Sequence, residues 1–136
     1  MDPLKSIAQI AASGMYVQSE RLQVVAENVA NADSTGSRPG EDPYQRKTIS
    51  FEQMLDEATG ATMVRVSDIG RDRTPFALRH EPSHPAADDN GFVKVANVSP
   101  ILEMADMREA SRSYEANLNL YEAGRRMRSQ MIDLLK

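Results

Sequence analysis

"PLKSIAQIAASGMYVQSERLQVVAENVANA", residues 3–32, is the stretch that decides the fold of this chain. Its apolar residues recur at alternating intervals of four and three, and one polar residue, Gln18, falls in the same register. The apolar positions are Leu4, Ala8, Ala11, Met15, Leu22, Val25, Val29 and Ala32. A seam of this period, kept over about four heptads, is typical of a helix that packs lengthwise against other helices.

Both ends of this helix are marked in the sequence. Asp2 can cap the first turn, and Pro3 suits the first helical position. Gly14 lowers the local helix propensity by ~1 kcal/mol relative to Ala, so we expect a kink or a close helix contact there. The turn-forming residues of "NADSTG", residues 31–36, predict that the helix ends there.

A second helical pattern occupies the C-terminal segment. Ser99 is a suitable N-cap and Pro100 a suitable first helical residue. The apolar residues at helical spacing are Met104, Met107, Tyr114, Leu118 and Tyr121, followed by Met127, Met131, Leu134 and Leu135. A continuous helix of about 35 residues would be roughly 50 Å long at 1.5 Å per residue, which is more than one small domain can bury.

Two long helices with narrow apolar seams and charged flanks need more partner surface than a single small domain supplies. One hypothesis is an intramolecular two-helix coiled coil that carries a small β domain. The other adds that the helix pair lies among copies of itself or relatives in an assembly. The periodicity alone leaves both open.

The middle segment, residues 33–98, holds five of the seven prolines and five of the seven glycines. Strand-like alternation at residues 44–51 and 63–69 predicts two strands, with a short helical turn over 51–60 between them. Asn90-Gly91 suits a tight hairpin turn. The predicted fold class is therefore α+β: N- and C-terminal helices in residues 1–32 and 99–136, paired as a coiled-coil hairpin, with a small β-rich middle domain in residues 33–98.

Composition and charge exclude several classes of protein. The net charge of −4 argues against a nucleic-acid partner, because affinity for nucleic acid comes mainly from neutralising phosphates. The absence of cysteine excludes disulfides and thiol chemistry. No apolar run approaches the roughly 18 residues of a membrane span, and no basic and apolar leader opens the chain. We therefore expect no direct membrane insertion and, if the protein is exported, no cleaved signal peptide.

The segment "HEPSHP", residues 80–85, contains the letters of the zinc motif H-E-x-x-H. That motif needs a helix to bring both imidazoles to one ion, but Pro82 and Pro85 disfavour helical backbone here. His80 and His84 are also the only histidines, whereas a catalytic zinc needs a third protein ligand. With no nucleophile elbow or phosphate-binding glycine loop either, we predict no enzyme, no metal, no cofactor and no small-molecule substrate.

The segment "SGMYVQSERLQVVAENVANADSTG", residues 13–36, resembles the N-terminal signature of bacterial flagellar axial proteins, in particular the basal-body rod family. Further similarity lies in "PYQRK" (43–47), "EPSHPAADDNGFVKVANV" (81–98) and "EMADMREASRSYEANLNLY" (103–121), and it points most to the proximal rod type. The sequence departs from the family pattern at Ala96, where such proteins usually carry proline. We expect this change to loosen the loop that enters the C-terminal helix.

The resemblance implies a structural subunit of the basal-body rod, needed for motility. Rod subunits are exported unfolded by the flagellar type III apparatus, without a cleaved signal, and polymerise across the periplasm with themselves and other rod and basal-body proteins. It also implies that the terminal helices pair as a coiled coil lining the tube, while the β domain faces outward. The alternative function is a cytoplasmic helical adaptor or export chaperone that uses the same hairpin to bind one partner.

The predicted assembly interface combines the two apolar seams with polar residues of the resembling segments. It comprises Leu4, Ala8, Ala11, Met15, Gln18, Leu22, Val25, Asn28, Val29 and Asn31 in the first helix, and Met104, Met107, Tyr114, Asn117, Leu118, Tyr121, Met127, Met131, Leu134 and Leu135 in the second.

Overall fold

The computed structural model of this protein describes residues 2–136 and has an α+β fold. The elements are α1 (Pro3–Ala30), β1 (Lys47–Leu55), β2 (Thr62–Arg71), β3 (Ala77–His80), β4 (Phe92–Val95) and α2 (Pro100–Leu134). Strands β1 and β2 form one two-stranded sheet, and β3 and β4 form another. The two long terminal helices and the small sheets between them confirm the predicted fold class at this level.

Helix α1 begins and ends close to the predicted residues. The Asp2 carboxylate accepts a hydrogen bond from the backbone N–H of Leu4 at 3.0 Å, which satisfies one of the free donors of the first turn. At the other end, the Asn31 side chain donates to the backbone carbonyl of Glu27 at 2.8 Å. The same carbonyl also accepts the backbone N–H of Asn31 at 3.1 Å, so Asn31 is tied to the last turn of α1 by two hydrogen bonds.

Helix α2 begins at Pro100, as predicted, and the backbone N–H of Glu103 donates to the carbonyl of Ser99 at 3.0 Å. Its 35 residues continue to Leu134 without interruption. Every residue from Arg125 onward is exposed, so tertiary packing covers little of this last part of the helix.

The hairpin of β1 and β2 corrects the prediction of a helical turn over residues 51–60. Phe51–Leu55 continues strand β1, and only a tight turn separates β1 from β2. In that turn the backbone N–H of Gly60 donates to the carbonyl of Asp56 at 2.7 Å, and Gly60 has a φ of 71°. Pairing with β2 is a non-local effect, and it overrides the helix propensity of "FEQML".

Strands β3 and β4 are antiparallel, with Ala77 opposite Val95 and His80 opposite Phe92. The predicted Asn90-Gly91 turn is present at residues 88–91, where the Gly91 N–H donates to the Asp88 carbonyl at 2.9 Å. It does not join the two strands directly, because the loop between them spans residues 81–91. The dipeptide therefore ends a longer loop instead of forming a two-residue hairpin.

The chain divides into two compact units. Unit 1 contains the chain up to Leu22, Ile49–Asp68, and the chain from Arg108 onward; unit 2 contains Gln23–Thr48 and Ile69–Met107. Buried apolar residues of unit 1 include Ala11, Val17, Ala61 and Ala110, and those of unit 2 include Val24, Val25, Val93, Val95 and Ala96. Within residues 2–136, no helix combines the length and the apolar character needed to cross a membrane.

Candidate assembly surfaces

In unit 1, helix α2 packs tightly against α1 at Gly14. A Cβ atom added at Gly14 would lie 2.6 Å from Oδ1 of Asn117, and the Asn117 side chain is held by a 2.8 Å hydrogen bond from Nδ2 to the Ser113 carbonyl. The glycine that the sequence marks as a weak point of the helix is therefore a point of close helix contact, as predicted. Nearer the N-terminus, a Cβ added at Gly124 would lie 3.6 Å from Ile7 Cγ2.

The same two helices border an open groove of about 610 Å³. Leu4, Ala8 and Tyr121, three predicted interface residues, line it together with Gly124 and Ile132. One polar atom beside the groove, Oε1 of Gln9, is buried and accepts no hydrogen bond from the described residues. A second groove of about 320 Å³ brings Gln18 and Asn117 together with the β1–β2 hairpin.

The predicted interface residues differ widely in exposure. Ala11, Val25 and Asn28 are buried; Leu4, Ala8, Met15, Gln18, Leu22, Val29, Asn31, Met107, Tyr114, Asn117, Leu118 and Tyr121 are half-buried; Met104, Met127, Met131, Leu134 and Leu135 are exposed. In α1 the burial also includes Gly14, Val17 and Val24, so the covered face is turned slightly from the predicted seam.

The exposed residues are concentrated at the end of α2. Met127 is 45% exposed, Met131 56%, and Leu134 and Leu135 are each 85% exposed. Exposed apolar side chains are common one at a time, but here four of them lie along the end of one helix.

In unit 2, a buried polar network is centred on Asn28, which is 0% exposed. Its Oδ1 accepts hydrogen bonds from the Tyr44 hydroxyl at 2.7 Å and from the Lys47 backbone N–H at 2.8 Å. Its Nδ2 donates to the Lys47 carbonyl at 2.9 Å and to Oε2 of Glu103 at 3.4 Å. Asn28 therefore joins the end of α1, the start of β1 and the start of α2.

Glu103 is the buried charge of this network, with 2% of the residue exposed. Its Oε1 accepts a hydrogen bond from Nε of Arg46, and Nη1 of Arg46 lies 3.5 Å from Asp72. Burial disfavours the charged guanidinium, but the hydrogen bond and charge of Glu103, with Asp72 and Asp106 nearby, raise the pKa of Arg46 above its ordinary value. The buried carboxylate is thus neutralised by a fixed cation, the condition under which a buried charge is tolerated.

Asn97 closes the same network from the loop before α2. Its Oδ1 accepts from the Arg46 backbone N–H at 2.7 Å, and its Nδ2 donates to the carbonyls of Asp72 and Thr74 at 2.9 and 3.0 Å. The neighbouring Ala96 is buried, and its backbone N–H donates to the Ser34 carbonyl at 3.0 Å. Proline could not make that bond, so alanine at this position adds an attachment to the loop that we expected it to loosen.

Comparison with known proteins places these features in a family. A model described as "Flagella basal body rod protein" matches residues 9–36, and one described as "Flagellar basal body rod FlgEFG protein C-terminal" matches residues 89–134. The chain is 52% identical over 136 residues to the flagellar basal-body rod protein FlgC of Agrobacterium fabrum, covering 100% of this chain and 98% of the relative. It is 38% identical over 133 residues to FlgC of Salmonella typhimurium, covering 96% of this chain and 97% of that protein.

The chain belongs to the FlgC family of flagellar basal-body rod proteins. It is a structural subunit of the basal-body rod, and the resemblance to the proximal rod type is confirmed. The family is structural and not enzymatic, and membership implies a flagellar location and assembly with other rod and basal-body proteins. The alternative of a cytoplasmic adaptor or chaperone is not favoured.

In this FlgC-family chain, the "HEPSHP" segment lies in the loop after β3. His84 Nδ1 accepts from the Ala86 backbone N–H at 2.9 Å, which leaves Nε2 to donate to the Thr35 hydroxyl at 3.3 Å. His80 packs edge-on against Phe92, with ring centroids 5.0 Å apart. Both imidazoles therefore have structural partners, and residues 2–136 contain no group of three side chains able to hold a metal.

The polar network is not recognisable as a unit from the sequence. The sequence marks Asn28 as part of the family signature, and Tyr44, Arg46 and Lys47 as part of "PYQRK" and of the predicted strand 44–51. A polar residue that interrupts a buried helix face, as Asn28 does beside Val25, is the sequence signal that could have pointed to a buried hydrogen-bonded site.

Proposed function

We propose that this rod protein polymerises through its terminal helices into the tubular drive shaft of the flagellum. The helices pair as a coiled coil that lines the tube, and residues 33–98 form the β-rich middle domain on its outside. The chain is exported through the flagellar type III apparatus without a cleaved signal peptide, and it assembles where the rod crosses the periplasm. No nucleic acid, membrane insertion or small-molecule substrate takes part.

The observation that carries this proposal is the exposed apolar stripe at the end of α2. Fully burying one Leu or Met side chain contributes about 1.5–3 kcal/mol. Four such side chains are at least 45% exposed in the single chain: Met127, Met131, Leu134 and Leu135. Their burial against a neighbouring subunit would therefore contribute several kcal/mol to the free energy of association. Polymerisation thus supplies the packing that the last turns of α2 lack.

The burial pattern also decides which substitutions test assembly without unfolding the subunit. Val25 is only 1% exposed, so an acidic residue there would disrupt unit 2 itself. Met131 and Leu134 are exposed, so Met131→Asp and Leu134→Asp should leave the subunit folded while placing a carboxylate in the interface. Gln130→Asp adds the same charge at a neighbouring exposed polar position and is the matched control.

The experiment expresses each variant in cells that lack the native gene. Motility and the amount of tagged subunit in purified basal bodies are then measured. We expect Met131→Asp and Leu134→Asp to lose both, and Gln130→Asp to keep both. Normal swimming and normal incorporation of the two apolar-site variants would show that the stripe is not an assembly surface.

A further inference from the structure

The charge of this chain is unevenly distributed. Residues 124–136 carry four basic side chains and one acidic side chain, a net charge of +3. Because the whole chain carries −4, the remaining residues carry −7. Copies of an acidic protein repel one another unless opposite charges are brought together, so the basic end of α2 is where one copy can be attracted to the next.

Two arginines at this end have no ion-pair partner in the described part of the chain. Arg128 lies 3.9 Å from Asp2 and Lys136 lies 3.8 Å from Asp133, whereas Arg125 and Arg126 form no ion pair with any of residues 2–136. Both arginines are exposed and precede the exposed Met127.

Two acidic side chains that can pair with these arginines lie further back on the same helix. Glu115 and Glu122 are exposed and form no ion pair with the residues that the structure describes. They are seven residues apart, and Arg126 follows Glu122 by four, so all three lie on one side of α2. Leu120, which is 45% exposed, lies next to the acidic residues as Met127 lies next to the arginines.

We propose that α2 docks head-to-tail on α2 of a second copy, with Arg125 and Arg126 of one copy against Glu115 and Glu122 of the next. Leu120 and Met127 fill the contact between the charges. The inference rests on the proposed polymerisation and names the surface and the partner. The basic and acidic segments lie at different heights, because the 11 residues from Glu115 to Arg126 correspond to about 16 Å of helix. In this head-to-tail arrangement the contact is staggered and heterologous, the type that forms rings or open helical assemblies.

Charge exchange tests the proposal on the purified full-length chain. One variant is Arg125→Glu/Arg126→Glu and the other is Glu115→Arg/Glu122→Arg, and self-association is measured by sedimentation velocity at low and moderate salt. Each variant alone places like charges in the contact, and we expect it to associate at least about tenfold more weakly than the native chain. An equimolar mixture of the two should recover association, and added salt should weaken both the mixture and the native chain.

The control variant is Arg38→Glu/Arg73→Glu, which changes the net charge equally at exposed positions elsewhere. It should associate more strongly than the Arg125/Arg126 variant, and circular dichroism should give equal helix content for all variants. A mixture no stronger than its components would overturn the proposal. The proposal would also be overturned if the native chain bound anionic phosphatidylglycerol vesicles but did not self-associate at any concentration. If Arg125→Glu/Arg126→Glu then lost the vesicle binding, the basic end would serve a membrane.

Recovery in basal bodies separates this proposal from the proposed function. If the native chain is found in rods and Arg125→Glu/Arg126→Glu enters them equally well, the docking surface is wrong and polymerisation through the helices stands. If the native chain is itself absent from rods, the proposed function fails first.

Discussion

Asn28→Asp is the most informative single substitution in unit 2, because the two side chains have nearly the same shape. The amide nitrogen Nδ2 donates to the Lys47 carbonyl at 2.9 Å and faces Oε2 of Glu103 at 3.4 Å. An aspartate presents an oxygen in that position. The Lys47 carbonyl then loses its donor, and a second carboxylate lies beside the buried one.

The expected cost follows from those two contacts. A buried polar group left without its partner costs about 1–3 kcal/mol, and an uncompensated buried charge costs about 3–5 kcal/mol. We therefore expect Asn28→Asp to lower the free energy of unfolding by about 3–5 kcal/mol, a large part of the total for a small domain. Lowering the pH should narrow the difference in unfolding free energy between Asn28→Asp and the native chain, because the protonated carboxyl of the variant can again donate a hydrogen bond.

The assay is urea denaturation of the purified chain, followed by far-ultraviolet circular dichroism and by tyrosine fluorescence. Asn119→Asp is the matched control, because Asn119 is an exposed residue of α2 and makes none of these contacts. The control should unfold within about 0.5 kcal/mol of the native chain. An Asn28→Asp variant as stable as the control at neutral pH would refute the account of the network.

Three further substitutions test individual contacts. Gly14→Ala places a Cβ 2.6 Å from Asn117 Oδ1 and should lower the thermal midpoint, because overpacking costs about 1–3 kcal/mol and the gain in helix propensity returns only ~1 kcal/mol. The double variant Gly14→Ala/Asn117→Ala should recover the midpoint. A loss that persists in the double variant would refute the contact. Gly91→Ala should cost about 1–2 kcal/mol in thermal unfolding because Gly91 has a φ of 83°; an unchanged midpoint would contradict that strain. Hydrogen bonds from Thr74, with a smaller effect of the Arg46 cation, lower the pKa of Asp72 below its ordinary value of 3.8. The stability that Asp72 contributes is therefore present above pH 3.8 and is lost as the pH falls below that value. When unfolding is measured as a function of pH, Asp72→Asn should lose less stability than the native chain over that acid range, and an equal loss would count against the assignment.

The sequence predicted the helices well and the contacts between distant residues poorly. Asp2, Pro3 and Pro100 act within one turn of the backbone, so the starts of α1 and α2 follow from local chemistry. Strand β1 was predicted to end at residue 51 but continues to Leu55, because its hydrogen bonds are made with β2.

The buried network lay outside local sequence analysis for the same reason. Asn28 and Glu103 are 75 positions apart, and Arg46 and Glu103 are 57 apart. Each residue taken singly is compatible with an exposed helix or loop position. Only the fold brings the amide, the carboxylate and the guanidinium together, and only their burial makes the arrangement costly to disturb.

The position of Glu103 also sets a temporal order on folding. The counter-charge of Arg46 and one partner of Asn28 lie in the last third of the chain. A growing polypeptide that has reached only residue 100 contains Arg46 and Asn28 but not Glu103. The guanidinium then lacks its counter-charge, and the amide lacks one of its hydrogen-bond acceptors. Unit 2 therefore cannot complete its buried polar network until the first turn of α2 has been synthesised.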